Sequence, residues 1–502
     1  MAASFRRRGP GALGLVLVAA VNGCSGGGAA KPGGSGGAAP HDGSVDRAGD
    51  RPSAAGGAPA DAGAVAGAGG APATTGAGGA AGVGGAPADP CTFSLVEAQS
   101  PAISTVEIVT WTLVLPNLTE AHIDFGPSGV PPTMTAPVDL TDPDHRTVLV
   151  GMKAEKAYTF RVVATDGATT CMSADVSFMT GALPSNAPAI TKPVSGTGGA
   201  QGFIVTTTGL DITSISTGQP NAYVFDTDGD VVWWSSSMLM DPNGISRAHL
   251  SWDATEMWVM TTDRATINIS MDGLTTTNHP ELSRADHDFA VLPDGGIATP
   301  FRPTGTQPGP FVEWHPDGTV STVVASMGSL YGPNDEHPNA VHYYPADDTY
   351  TLSDAAGSLF VKFKRTGELI WQLGGTNPLG ASFTLVGIDP WKVNHGHHLT
   401  PDGHFLFFNN GPGLGSSATI FDLLLDEAAG TATLTWEYQT DAAVSAFLGD
   451  AERLPDGNAL VTYSMSGLIQ EVDPSGTVVQ SWKGTTFGFS DFRTSLYGPP
   501  PR

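Results

Sequence analysis

Three stretches of the sequence, HDFAVLPDGGIATPFR, HGHHLTPDGHFLFFNN and GDAERLPDGNALVTYS, follow one plan, a short lead, a Pro-Asp-Gly turn and an apolar strand. The spacing from first residue to turn glycine is the same in all three. Matching second halves, an acidic turn with Gly followed by a Val- or Trp-rich strand, occur at YVFDTDGDVVWWS, FVEWHPDGTVSTVV, FVKFKRTGELIWQLGG, IFDLLLDEAAGTATLTWEY and IQEVDPSGTVVQSWKG. With weaker copies at GFIVTTTG and AHLSWDATEMWVM, about six units of roughly 40 to 50 residues result, the length of a propeller blade. The repeat therefore predicts an all-β chain whose residues 190–497 form a six-bladed β-propeller.

In a propeller the innermost strand of each blade lines a central channel, so residues at equivalent early positions of neighbouring blades converge. His287 and His395 each lie eight residues before their turn glycines, Gly295 and Gly403. His337, in DEHPNAVHYYPADDTYTL, leads the intervening unit, and His249, in RAHLSWDATE, is a looser fourth. Three adjacent blades would thus aim His287, His337 and His395 at one end of the channel. His397 and His398 read as strand residues on opposite faces. A polar cap at the start of each blade is the bland alternative, and a zinc site lacks a Cys or HExxH pattern. No metal and no cofactor are expected. DTDGD, Asp226 to Asp230, has the look of a calcium loop but reads better as a solvated hairpin turn.

The first 190 residues are of a different kind. Arg6, Arg7 and Arg8 precede the apolar run GALGLVLVAAV, which ends at VNGC and Cys24. This is the shape of a secretory signal, and VNGC resembles a bacterial lipobox, which would place a lipid on Cys24 and the mature chain outside the cytoplasm, at the outer membrane, periplasm or cell surface. Residues 25–90, almost wholly Gly, Ala, Pro, Ser and Asp, cannot offset the entropy of ordering and read as a flexible tether of roughly 45 Å root-mean-square span. Residues 91–183 alternate like a β-sandwich, and YTFRVVATDG resembles the sixth strand of a fibronectin type III domain, with Tyr158 as its corner tyrosine. Cys91 and Cys171, the remaining cysteines, both fall in this unit and are expected to be bridged in an exported protein. The chain of 502 residues carries a formal net charge of -26, which argues against a nucleic-acid or anionic-membrane surface.

The propeller segment resembles the PAPS-independent arylsulfate sulfotransferases over most of residues 200–497. The resemblance rests on HDFAVLPDGG, DEHPNAVHYYPADDTYTLS, TGELIWQLGG, NHGHHLTPDGHFLFFNNG and ERLPDGNALV, similar to the family's histidine-led, Gly-Glu-Ile-x-Trp, Phe-Asp-Asn-Gly and Leu-Pro-x-Gly-Asn signatures. It implies that His395 attacks sulfur and carries the sulfuryl group, that His287 and His337 hold its oxygens, and that an aryl sulfate is donor and a phenol acceptor. An imidazole carrier splits one hard transfer into two easier ones, while charge on the sulfuryl oxygens must meet fixed donors. The family's sulfate-binding arginine aligns with Ala355, and Asn409 replaces the aspartate of its signature. Arg302 occupies the position equivalent to Ala355 one blade earlier and is expected to take over that role, with Asn339 and Asn410 also assigned to substrate binding. The alternative is a non-catalytic propeller that binds a ligand or partner at its channel mouth.

Overall fold

The computed structural model describes residues 89–500 except 209–221, 236–244, 262–264, 306–307, 333–336, 376–378, 380, 413–415, 441–442 and 444. The signal, Cys24 and nearly all of the 25–90 tether lie outside the described residues. Among the described residues no helix is long and apolar enough to cross a membrane.

The first unit is a pair of antiparallel sheets. One joins Phe93–Gln99, Glu107–Leu113 and Thr147–Leu149, and the other is built around Glu120–Pro127 and Ala157–Thr165. Strict alternation along Ala157–Thr165 turns Tyr158, Phe160, Val162 and Ala164 inward onto Trp111, Ile123 and Phe125. The Tyr158 hydroxyl accepts the Lys153 backbone N–H at 2.9 Å, tying the end of this strand to the turn before it. Cys91 and Cys171 are bridged. The bond cross-links the first strand's lead-in to the opposite sheet and closes a loop 80 residues long.

Six sheets follow in chain order, antiparallel except for one parallel outer pair in each of the fourth and fifth, giving an all-β, propeller-like succession. The leading strands of the second to sixth are Ile245–Leu250, Ala290–Val291, Pro338–Tyr344, Asn394–Leu399 and Asp450–Arg453. The first sheet is led instead by the last strand of the chain, Asp491–Arg493, paired with Phe203–Thr207. The sixth takes as its outer edge Thr191–Ser195, which precedes the first. Both chain ends of this unit are thereby woven into sheets whose other strands lie far away in sequence.

The repeated turn has a local cause. Gly295, Gly403 and Gly457 take φ of +85°, +88° and +90°, a region that a Cβ disfavours. The Asp294 and Asp456 side chains each accept the backbone N–H two residues on, at 3.0 Å. Second strands such as Thr349–Asp354 and Ala459–Tyr463 are buried on both faces, so even the polar side chains of the first are enclosed, whereas the outer strand Thr276–Asn278 is exposed.

Where the leading strands meet, the core is ionic. Arg247, 2% exposed, donates to Asp450 Oδ2 at 2.8 Å and Asp491 Oδ1 at 3.2 Å and lies 3.2 Å from Asp288 Oδ1. Its Nε also donates to His249 Nε2, whose Nδ1–H faces Asp491. One guanidinium on the second sheet thus holds carboxylates of the first, third and sixth. Asp288 extends the link by accepting the Val341 N–H of the fourth sheet at 2.8 Å.

The sandwich is welded to the first two sheets. Ile103, Val106 and Val150 share one buried cluster with Phe225, Trp233 and Trp482. Lys153 lies 3.0, 2.6 and 2.8 Å from the carboxylates of Asp226, Asp228 and Asp230, and Arg146 pairs with Asp272. The DTDGD segment is the hairpin turn expected, joining Ala222–Asp226 to Val231–Trp234 with Asp228 and Asp230 exposed, and an ammonium from the sandwich sits among its carboxylates. The Tyr497 hydroxyl, near the end of the chain, donates to the Val148 carbonyl and accepts the Val150 N–H.

Two consequences are measurable. Reducing the disulfide should lower sandwich stability by about 4 to 5 kcal/mol in the chain-entropy account, read as a shift of the urea midpoint with and without reductant. Arg247→Met should cost about 3 to 5 kcal/mol, because two buried carboxylates, Asp288 and Asp450, and the partly buried Asp491 lose their counter-ion, and a midpoint within error of wild type would contradict this role of Arg247.

Candidate functional site

Each of the histidines sits where its leading strand is distorted. His287 has φ +63°, Val393 just before Asn394–Leu399 has φ +60°, and Leu448 before Asp450–Arg453 has φ +54°. A β-branched residue in this region is strained, and such strain persists only where the surroundings enforce it. The pairing register slips between Pro338 and Ala340 and between Asn394 and His397, so the residues between them bulge. Bulges of this kind re-aim a side chain.

Two of these rings meet, and the third lies within electrostatic reach of both. His287 and His337 stand edge to face with centroids 4.6 Å apart, and the charges of both act on His395. His395 is almost fully buried, and burial is the main force pushing its pKa down to about 3, with His337 and His287 adding to it. Burial likewise takes His337 down to about 4, helped by His287 and Arg302 and opposed by Asp286. Both rings are neutral near pH 7. Because His395 is depressed in the fold and ordinary when unfolded, the unfolded chain binds the extra proton, so its contribution to stability falls as pH drops from about 6.5 toward 3.

The tautomer of His395 is set by Asn410. The Asn410 amide nitrogen donates to the Ser445 carbonyl at 2.7 Å and the Leu448 carbonyl at 2.8 Å, which fixes the amide's orientation. Its Oδ1 can then only accept, and it takes the Nδ1–H of His395 at 2.6 Å. Nε2 of His395 is left with a lone pair on an uncharged ring. Asn410, expected to bind substrate, instead has both polar atoms committed to holding the histidine. Asn339 is fully buried, donates to the Asn394 carbonyl at 2.7 Å, and leaves Oδ1 without a partner.

Arg302, Ala355 and Asn410 occupy one register position in three successive sheets. Their backbone N–H groups donate to the carbonyls of Arg284, His337 and Val393 at 2.8, 3.0 and 2.8 Å. A methyl group therefore stands beside His337, and the guanidinium one sheet earlier donates through Nε to Asp286 Oδ1 at 2.9 Å. The same oxygen lies 2.6 Å from His287 Nδ1. Burial alone would raise Asp286, but His287 and Arg302 outweigh it and hold the carboxyl below its usual range.

The remaining histidines lie farther along the strands. His397 is buried against Thr351 at 2.7 Å on the side of the fourth sheet, and His398 Nδ1 accepts the Arg453 N–H of the sixth at 2.9 Å. They face opposite ways, as period-two alternation requires. His249 belongs to the Arg247 cluster and not to the three converging rings. With Arg247 and Glu452, these three histidines line a cavity along the leading strands. Among the described residues, Asp226, Asp228 and Asp230 form the one acidic or histidine group close enough to hold a metal ion, and Lys153 occupies it.

Asp286, Arg247, Asp288, Asp450 and Asp491 were not among the residues singled out from the sequence. Asp288 and Asp450 carried a signal, since each lies seven residues before its turn glycine, Gly295 or Gly457. Gly396 shares that offset from Gly403, and a Cβ there would come within 1.9 Å of Asp450 Oδ1. The small residue and the acid are complementary halves of one contact.

An all-β, propeller-like chain with a buried, tautomer-locked histidine defines the class of protein. Residues 330–485 match the family model of the arylsulfotransferases (ASST), a stretch that includes His337, Ala355, His395 and Asn410. Over this stretch the chain is arylsulfotransferase-like. No curated protein gives a significant match. Similar solved structures include a protein of unknown function from Bacteroides caccae, at 14% identity over 58% of this chain and 98% of that one with TM-score 0.40. A nidogen/laminin complex gives 9% identity over 59% and 100% with TM-score 0.39, and a streptogramin B lyase 12% over 58% and 86% with TM-score 0.36.

Asn410→Leu should release the tautomer. Long-range 15N–1H correlation is expected to show an Nδ1–H ring at His395 in wild type and an Nε2–H population in the variant.

Proposed function

We propose that this protein is an arylsulfotransferase that moves a sulfuryl group from an aryl sulfate to a phenol through His395. The observation that carries the reading is the Asn410 lock, which presents an unprotonated Nε2 on a neutral, buried ring. Attack of Nε2 on sulfur forms the N–S bond as the S–O bond to the aryl oxygen breaks, and the departing oxygen keeps the electron pair. An acceptor phenol reverses the step and restores the free imidazole. Nδ1 keeps its proton throughout, so Asn410 accepts a stronger hydrogen bond once the ring becomes positive.

In this reading the six sheets act as six blades and the first unit as a fibronectin type III-like domain. The bridge between Cys91 and Cys171 supports an oxidising compartment. Export behind the N-terminal signal, lipid attachment at Cys24 and a flexible tether over residues 25–90 would place the site outside a bacterial cytoplasm. Arg302, bound through Nε to Asp286 next to His287, is the cation proposed to act on the sulfuryl oxygens. A second reading, binding of an aryl sulfate without turnover, is favoured by one observation, the methyl of Ala355 beside His337 where the family carries its arginine.

Incubation with p-nitrophenyl sulfate and phenol separates the two. Transfer should release p-nitrophenol in proportion to phenol and leave a sulfuryl adduct on His395 by mass spectrometry, and His395→Ala should lose both. Binding without release, or an adduct on another residue, would overturn the assignment.

A further inference from the structure

The three imidazoles that converge are not equivalent. His395 hydrogen-bonds an amide and His337 is driven neutral by burial, and neither hydrogen-bonds a carboxylate among the described residues. His287 does, through Nδ1 to Asp286 Oδ1 at 2.6 Å, and that oxygen is held in turn by Arg302 Nε at 2.9 Å. An ionised carboxylate on one imidazole nitrogen fixes the tautomer and stabilises the protonated ring, so the other nitrogen can take up and give back a proton near neutral pH. Neighbouring titratable groups whose surroundings drive them apart divide acid and base work between them. Here a neutral nucleophile stands beside an imidazole that can carry charge.

We infer that His287 is the proton carrier of the transfer, with Asp286 and Arg302 as its positioning residues. The inference rests on the sulfotransferase reading and adds to it the step that balances the leaving oxygen. When Nε2 of His395 displaces the aryl oxygen from sulfur, the oxygen departs with the bonding pair and takes the proton from Nε2 of His287, which becomes neutral. The acceptor phenol then returns a proton to His287 as its oxygen attacks sulfur and the N–S bond breaks. No proton is gained or lost over the cycle. Among the described residues, the charged and titratable groups recorded as acting on His287 or sharing its field are Asp286 from its own sheet, Arg302, which follows the adjacent strand, His337 from the next sheet and His395 from the one beyond. Asp288, one residue on, is turned away to Arg247 and the Val341 N–H.

A substrate class follows. With a proton carrier in place, donors whose leaving phenol is weakly acidic become usable, whereas an activated donor such as p-nitrophenyl sulfate needs little help. Asp286→Asn and His287→Gln should each lower kcat/KM for phenyl sulfate by about 10²-fold or more, on the scale of a lost general acid, and lower it for p-nitrophenyl sulfate by less than about 10-fold. Equal losses on both donors would overturn the inference and leave transfer intact, since a structural or oxygen-binding role does not depend on the leaving group. No transfer from either donor in wild type would remove both readings. A second measurement needs no turnover: in wild-type protein the His287 ring should titrate above those of His337 and His395 by NMR, and Asp286→Asn should bring it down. A His287 that stays neutral with the other two across pH 5 to 8 would overturn the proposal.

Discussion

Everything at the axis of the second unit depends on one buried cation. Moving a guanidinium out of water costs several kcal/mol, and a single carboxylate seldom repays it. Arg247 is surrounded by three, one each from the first, third and sixth sheets, with His249 accepting from the same Nε that faces Asp288. Burial pushes Asp450 up to about 6 even beside this charge, whereas His249 and Arg247 together overcome burial at Asp491 and hold it far below its usual range. The proton balance of the cluster is thus distributed unevenly around one arginine. Such a cluster stabilises less than an apolar plug would, but it tolerates no change of register, because a slip of the first, second, third or sixth sheet would leave a charge unpaired.

The same cluster sets the chemistry above it. Asp450 lies against Gly396, and the next residue back is His395. Asp288 follows His287 directly and binds the backbone of Val341, four residues beyond His337. Each of the three imidazoles is therefore one to a few residues from a group whose place the arginine network fixes. Strained backbone at His287 and Val393 is affordable only because of that support.

What could be read from the sequence was what repeats or what is local. The Asp-Gly turns, the buried second strands and the common offset of His287 and His395 all follow from rules that act over a few residues. The bridge between Cys91 and Cys171 followed from there being no other cysteine in a unit expected to be exported. Contacts made only when the ring closes left no trace of that kind. Arg247 finds Asp450 and Asp491 across 203 and 244 residues, and nothing in the periodicity marks an arginine as their partner. The partners of Asn410 were likewise hidden, because the two carbonyls that hold its amide, Ser445 and Leu448, lie 35 and 38 residues away in sequence. Lys153 was passed over for a different reason. Its three carboxylates invited a search for a metal ion, and the cation comes from another sheet of the same chain.

The last strand, Asp491–Arg493, leads the first sheet and supplies one of the carboxylates around Arg247. This has a consequence for the order of events during synthesis. At ordinary elongation rates the ribosome needs on the order of 10 to 50 s to travel from Arg247 to Asp491. For all of that time five sheets can exist in part, yet the channel wall has a gap and the arginine lacks a partner. Completion of the carboxylate set around Arg247 therefore waits for the strand Asp491–Arg493, and a chain that lacks this strand cannot close the first sheet or fully balance the arginine.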